Sequence, residues 1–365
     1  MKRLIILALL LAAHSSLSAE QNQPHASAES HGAAAFLQQL DSLRENANIP
    51  GMSVVVVEDR AIVLAAGLGY ADVEEGIPAT AETPYDIASV AKPLSAVVAL
   101  RLVEAGVLDL DRLLVDYSEW EGFCTEFSRQ PSIFAQELRC QPTNHTLRHL
   151  LSHTATGTPG TRFSYNPILY SWASRPIMAV TDTPFSALVE RYVFIPADMR
   201  NSARKHRDLP LREDLVERLA QPYRIESSGA TQRAPARPPQ GDGAAGGVVS
   251  TALDLAKFDI ALDKGVLIST KSRAGMMAPT RATNGEAVPY GLGWYVQEYE
   301  GHTLIWHSGW WEDAYSALYL KIPTLNLTLI VLANSEGVWW NNPLDRAGVE
   351  RSQFAQAFLS AFVDR

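Results

Sequence analysis

The chain has 365 residues, 47% of them hydrophobic, with 31 Lys and Arg against 40 Asp and Glu. That length allows one large or two moderate domains. The formal charge of −9 argues against nucleic acid and anionic membrane surfaces, whose phosphates call for basic partners.

Residues 1–19 read as a secretory signal. Lys2 and Arg3 supply the positive start, Leu4 to Ala13 the apolar core, and Ser16-Leu17-Ser18-Ala19 a small-residue exit. The apolar run is shorter than the roughly 20 residues that span a bilayer, and no cysteine near the exit offers a lipid attachment. Loss of Lys2 and Arg3 takes the formal charge from −9 to −11. The mature protein is expected to be secreted or periplasmic, without membrane insertion, its oligomeric state left open. Residues 20–33 are polar and lack aromatics, which predicts a disordered spacer, and the folded unit is expected over 34–365.

Ala34 to Asn48 has apolar residues at helical spacing. Met52 to Val57 and Ile62 to Ala66 predict a hairpin around Glu58-Asp59-Arg60. Ser89 to Glu104 predicts an apolar helix stopped at Gly106, with Pro93 in its first turn. From Leu108 to about Met277 the pattern is helices and loops, with Ser227 to Gly247 a long Gly/Pro/Ala-rich loop. Cys124 and Cys140 form a natural disulfide pair in an oxidising compartment; closing so short a loop contributes about 3 kcal/mol. Strand signals return at Gly291 to Gln297, His302 to Trp306, Ala314 to Ile322 and Leu325 to Leu332, before a closing helix from about Arg346 to Phe362. The expected fold is therefore α/β: one mixed, mainly antiparallel sheet from about 34–84 and 286–365, flanked by helices, with a mostly helical region of about 85–285 inserted.

Chemistry concentrates in three places. Ser89-Val90-Ala91-Lys92 sets a hydroxyl and an amine on one helical face, and an amine with a depressed pKa can activate a serine. Ser202-Ala203-Arg204-Lys205 matches the same pattern but opens no apolar helix, so context favours the first. Tyr165, within Gly160 to Asn166, can shuttle a proton if a cation holds it partly ionised. His307-Ser308-Gly309 ends an apolar strand, where a glycine lets a substrate backbone approach and the strand edge offers N–H groups to an oxyanion. Trp310 and Trp311, beside it, are candidates for an apolar pocket. His145, His149 and His153 recur at helical spacing, but no glutamate follows His149 as zinc-protease helices require and no cysteine or acid cluster accompanies them, so no metal is expected. No Gly-x-Ser-x-Gly surrounds any serine, against an α/β-hydrolase elbow.

Taken together, Tyr85 to Pro93, Leu150 to Thr154 with Pro159 to Tyr165, Gly246 to Phe258, Tyr290 to Trp294 and His307 to Gly309 resemble the penicillin-recognising serine hydrolases on their class C β-lactamase side. The likeness runs over roughly residues 35–335. It implies a β-lactamase/transpeptidase-like fold with no cofactor. Ser89 would be the acylated nucleophile, Lys92 its proton acceptor or electrostatic partner, and Tyr165 the second acid and base. The N–H groups of Ser89 and Trp310 would form the oxyanion hole. Two departures stand out. Asn166 and Pro167 follow Tyr165 where the family reads Tyr-x-Asn, leaving Asn166 as the candidate for a substrate amide contact, and His307 holds the place of a lysine. The implied activity is hydrolysis of an ester or amide, such as a D-amino-acid peptide or a small ester. The alternatives are a true β-lactamase and a catalytically inactive cell-wall ligand-binding or sensor protein.

Overall fold

A computed structural model describes residues 25–117, 119–235 and 237–363, with side chains from residue 32 onward. The signal reading on residues 1–19 lies outside the described residues. The predicted hairpin is formed by β1 (Gly51–Glu58) and β2 (Ala61–Asp72). Asp59 and Arg60, both at positive φ, make its turn. β3 (Ile77–Pro78) lies on the edge. Short strands follow: β4 (Tyr85–Asp86), β5 (Ala203–Arg204), β6 (Tyr223–Ile225), β7 (Thr231–Arg233) and β8 (Val248–Ser250). The chain returns through β9 (Tyr295–Tyr299), β10 (His302–Trp311), β11 (Tyr315–Ile322) and β12 (Leu327–Ala333).

The main sheet has seven strands in the order β3-β2-β1-β12-β11-β10-β9, and a smaller one runs β4-β8-β5. Antiparallel pairing of β1 with β12 sets Val54 opposite Val331 and Met52 opposite Ala333, so both arms of the chain meet at the centre of the sheet. Its central strands, β1, β11 and β12, are covered on both faces, which is why Val54-Val55-Val56-Val57 is a continuous apolar run rather than an alternating one. Side chains still alternate. Val55 and Val57 face one core with Leu94 and Val97, while Val54 and Val56 face a second with Phe36, Leu40 and Phe358.

The inserted region carries α2 (Ala91–Glu104), α3 (Trp120–Phe127), α4 (Leu147–Leu151) and α5 (Pro167–Trp172), after an N-terminal α1 (His25–Asn46). α1 corrects the expected spacer, since residues 25–33 are helical. Ala26, Ala28 and Ala33 to Ala35 are strong helix formers, and they prolong the segment that Phe36 and Leu40 anchor in the core. Polarity without aromatics was a poor sign of disorder here. The loop predicted over 227–247 holds β7, which pairs with β6 as a hairpin. The closing helix runs Gln353–Phe362, its start set by the Ser352 side chain accepting the Ala355 N–H. Cys124 on α3 is joined to Cys140 by a disulfide.

One buried ionic cluster ties helix to sheet. Lys321 on β11 is 2% exposed, and its amine lies 2.9 Å from Asp259 and 2.6 Å from Asp263 on the helix Ala252–Asp263. Tyr319 and Thr328 donate to the same Asp259 carboxylate at 2.6 and 3.0 Å. Burial alone would depress the Lys321 pKa, but the two aspartates outweigh it and leave it raised. Removing one partner strands the others in a dry site. Lys321→Met is expected to lower unfolding free energy by about 3–5 kcal/mol, read by urea denaturation at pH 7; a loss well under 1 kcal/mol would refute this account.

Candidate active site

Ser89 lies on a 3-10 turn, Ala88–Val90, that runs directly into α2. Residues three apart eclipse in such a turn, which brings the Lys92 amine to 2.8 Å from Ser89 Oγ. Ala88 has φ of +47°, a conformation that costs a residue with a Cβ about 1 kcal/mol or more. Asp86 holds it there, because its carboxylate accepts the Ala88 N–H at 3.0 Å and the Trp311 indole N–H at 2.9 Å. The Asp86 charge is balanced by Lys205 at 2.9 Å. A Cβ on Gly309 would sit 2.4 Å from the Ile87 carbonyl. The glycine on β10 thus admits the chain's own nucleophile turn, not the substrate backbone that the sequence suggested.

Lys92 is 0% exposed. Its amine reaches the Ala245 carbonyl at 3.2 Å and lies over the Tyr165 and Tyr170 rings at 5.1 and 5.4 Å. No carboxylate is among these contacts. Burial therefore drives its pKa well below the ordinary lysine value, the direction that suits an amine for taking the Ser89 proton. Desolvation, not a neighbouring charge, makes this base.

The Tyr165 hydroxyl donates to Ser89 Oγ at 2.9 Å. Burial raises its pKa, opposed only by the hydrogen bond to Ser89. Tyr165 is accordingly a neutral proton donor in the free protein, not the partly ionised tyrosine that a cation would sustain. The roles separate: Lys92 can accept a proton and Tyr165 can give one.

The remaining predicted residues divide between cleft and scaffold. Ser89, Tyr165, Ser308 and Trp310 line one cleft of about 540 Å³. Trp310 stacks on Trp339 with ring centroids 4.3 Å apart, making an aromatic wall that Ile133, Phe134 and Leu344 extend. His307 does not open on this cleft. It is 1% exposed, with Nδ1 2.7 Å from the Ser308 carbonyl and Nε2 2.9 Å from the Tyr290 hydroxyl. A carbonyl can only accept, so Nδ1 carries the proton and Nε2 accepts from Tyr290. Burial pushes the His307 pKa well down. It is a neutral strut rather than a substitute for a lysine charge.

Asn166 is likewise structural. It is 2% exposed; its Oδ1 accepts the Leu169 N–H at 3.1 Å, capping α5, and its Nδ2 donates to the Phe134 carbonyl at 2.7 Å. Pro167 takes the first helical position of α5 and lines the cleft instead, so the expected amide contact from Asn166 is not made. The three histidines also disperse. α4 contains His149 alone, and among the described residues no group of His, Cys, Asp or Glu is placed to hold a metal ion. Sequence reasoning missed the Ala245 carbonyl and the Asp86 brace. A backbone acceptor leaves no residue-type signal, whereas Asp86 stood visible three residues before the nucleophile.

A serine held between a desolvated amine and a tyrosine hydroxyl, beneath an antiparallel sheet edge, defines a serine hydrolase. The Beta-lactamase family model matches residues 34–349, and the chain belongs to that family. It is 25% identical over 361 residues to penicillin-binding protein 4* of Bacillus subtilis (strain 168), covering 85% of this chain and 70% of that protein. Against protein flp of Staphylococcus aureus (strain MW2) it is 25% identical over 323 residues, covering 81% of this chain and 63% of that longer protein. The D-amino acid amidase of Ochrobactrum anthropi SV3, solved with L-phenylalanine, shares the fold at a TM-score of 0.72 and 19% identity, covering 91% of this chain and 99% of that one.

Two outcomes follow from this geometry. Lys92→Met is expected to slow acylation of Ser89 by about two to four orders of magnitude and yet to be more stable than wild type at pH 7. The folded pKa of Lys92 is depressed, so folding at neutral pH expels a proton that the unfolded chain retains. That cost vanishes as pH rises toward about 10.4, and the stability gap seen in parallel urea titrations should close accordingly. Asn166→Ala is expected to cost about 1 kcal/mol as a lost cap, seen as a lower thermal midpoint, without the kcat loss that a cleft residue would show.

Proposed function

We propose that this protein is an exported hydrolase that cleaves an ester or amide through an acyl-enzyme on Ser89. The observation that carries the reading is the placement of Ser89 Oγ 2.8 Å from a buried amine and 2.9 Å from a tyrosine hydroxyl at the floor of an apolar cleft. Lys92 takes the hydroxyl proton as Oγ bonds the substrate carbonyl carbon. The Ser89 and Trp310 N–H groups receive the developing oxyanion. Tyr165 hands its proton to the departing alcohol or amine and recovers one from the water that later attacks the ester on Ser89, while Lys92 returns its proton to Oγ as the acyl–oxygen bond breaks.

The cleft walls favour an apolar acyl or leaving group, as in a small ester or a D-amino-acid peptide. The likeness to a penicillin-binding protein and a D-amino acid amidase supports the peptide end of that range. The neutral His307 supplies no permanent charge on β10 for a β-lactam carboxylate. The cation that lines the cleft is Arg237, on the 227–247 loop, with its guanidinium 4.4 Å from the Trp311 ring centre. Export is supported by the signal-like residues 1–19 and by the Cys124–Cys140 disulfide, a bond suited to oxidising compartments.

Purified mature protein should be labelled by a fluorophosphonate and by activated esters, with a covalent mass increase absent from Ser89→Ala. Tyr165→Phe should slow turnover about 10²–10⁴-fold. Rapid turnover of a chromogenic cephalosporin would make it a β-lactamase. Failure of esters, β-lactams and fluorophosphonate alike to label Ser89 would replace the hydrolase reading with a ligand-binding one.

A further inference from the structure

The second match to the nucleophile pattern, Ser202 to Lys205, turns out to brace the first. Ser202 donates to the Asp254 carboxylate at 2.9 Å, far from any acyl chemistry, while Arg204 closes β5 and Lys205 follows it. Lys205 balances Asp86. Arg204 is 4% exposed, and its guanidinium is spent on one stretch of backbone. It donates to the Asp242 carboxylate at 2.9 Å, to the Gly243 carbonyl at 2.8 Å and to the Gly246 carbonyl, with the Phe185 ring 5.4 Å away on its face.

The carbonyls between those two contacts are held as well. Ser95 donates to Ala244 at 2.7 Å and Lys92 to Ala245 at 3.2 Å, while the Ala244 N–H bonds the Ser171 carbonyl at 3.0 Å. Four successive carbonyls, from Gly243 to Gly246, therefore each take a buried donor. Gly247 has φ of +75°, and a Cβ there would sit 2.9 Å from the Lys205 carbonyl, so β5 lies directly against this segment. Ala245 and Gly246 line the cleft and stand between it and the Lys92 amine.

We propose that Arg204 is a positioning residue for acyl transfer, clamping the Gly243–Gly246 backbone over Lys92 so that the amine stays dry. The role rests on the acyl-enzyme reading of Ser89. The groups facing Lys92 are the Ser89 hydroxyl, the Tyr165 and Tyr170 rings, the Ala245 carbonyl, and the buried His153 and His307, both held neutral chiefly by burial. None is anionic. Dryness is what keeps the amine uncharged, and loosening the clamp admits water. A lysine at position 204 keeps a charge for Asp242 but lacks the planar fork that spans Gly243 and Gly246.

The test reads Lys92 directly, by NMR titration of ¹³C-labelled lysines in the whole mature protein, with the Lys92 signal assigned by its loss in Lys92→Met. In Arg204→Gln, Lys92 is expected to titrate at least about one pH unit higher than in wild type, a tenfold change in its proton equilibrium, and Arg204→Lys should move it in the same direction. The acid limb of Ser89 labelling by a fluorophosphonate should shift with it. An unchanged Lys92 titration in a variant with native near-ultraviolet circular dichroism overturns the proposal; should Arg204→Gln fail to fold, Arg204→Lys carries the same two outcomes. If Lys92 moves but wild-type Ser89 takes no label, the hydrolase reading falls and the clamp stands. If Ser89 labels while Lys92 stays put, only the clamp falls.

Discussion

An amine buried without a counter-charge is the condition on which the rest of this site depends. Water would protonate Lys92, and an ammonium cannot accept the Ser89 proton. The fold answers by enclosing the amine on every side: α2 carries it, Tyr165 and Tyr170 cover it with ring faces, and the backbone at Ala245 supplies a neutral acceptor. A nearby carboxylate would have made a more comfortable ion pair and a useless base. Buried charge elsewhere in the molecule follows the opposite rule, as at Lys321, whose amine bonds two aspartates and Thr328 while Tyr319 donates to one of those aspartates. Two buried lysines thus serve opposite ends, and what separates them is whether an acid lies within reach.

The signature residues of the cleft work largely on architecture. His307 ties β10 to Tyr290, Gly309 makes room for the turn that presents Ser89, and Asn166 starts α5. On the proposed mechanism the reaction itself falls to three side chains, Ser89, Lys92 and Tyr165. Chemistry and specificity are therefore built from different parts of the chain. The reacting groups sit on the turn that opens α2, on α2 itself and on the segment before α5, while the walls come from β10, from the loop after β12, from the stretch before α4 and from the 227–247 loop. Loop sequence can change what enters without disturbing the proton path.

Much of the fold was legible because its strands are long and apolar: Val54 to Val57 and Leu327 to Ala333 can hardly be anything but central strands. The Ser89–Lys92 pair was legible for a different reason, since a reacting pair three residues apart is a local fact. What escaped was long-range. Nothing in the sequence near Asn166 says that its amide will be taken by Phe134 and Leu169, nor does the His307 motif reveal that Tyr290 will close over it. The spacer was misjudged because helix propensity needs no apolar face, and the loop hairpin at β7 because three exposed residues, Thr231 to Arg233, carry no alternation to detect. Context sets Ser202 to Lys205 aside as a nucleophile, yet its arginine and lysine pack against the segments that carry Asp86 and Ala245. A pattern can fail as chemistry and still mark a place the chemistry leans on.

The pairing of β1 with β12 sets the order in which the molecule can assemble. Val54 and Val331 are neighbours although about three quarters of the 365-residue chain separates them, so the middle of the sheet cannot form until its last strand is available. Contacts of such long range make for slow folding, and until β12 is made β1 has only its hairpin partner β2. The surface on which β10 receives the nucleophile turn belongs to that late-forming sheet. A molecule halted before β12 would hold β10 and β11 but lack the strand that joins them to β1, leaving the platform that aims Ser89 detached from the other arm of the sheet.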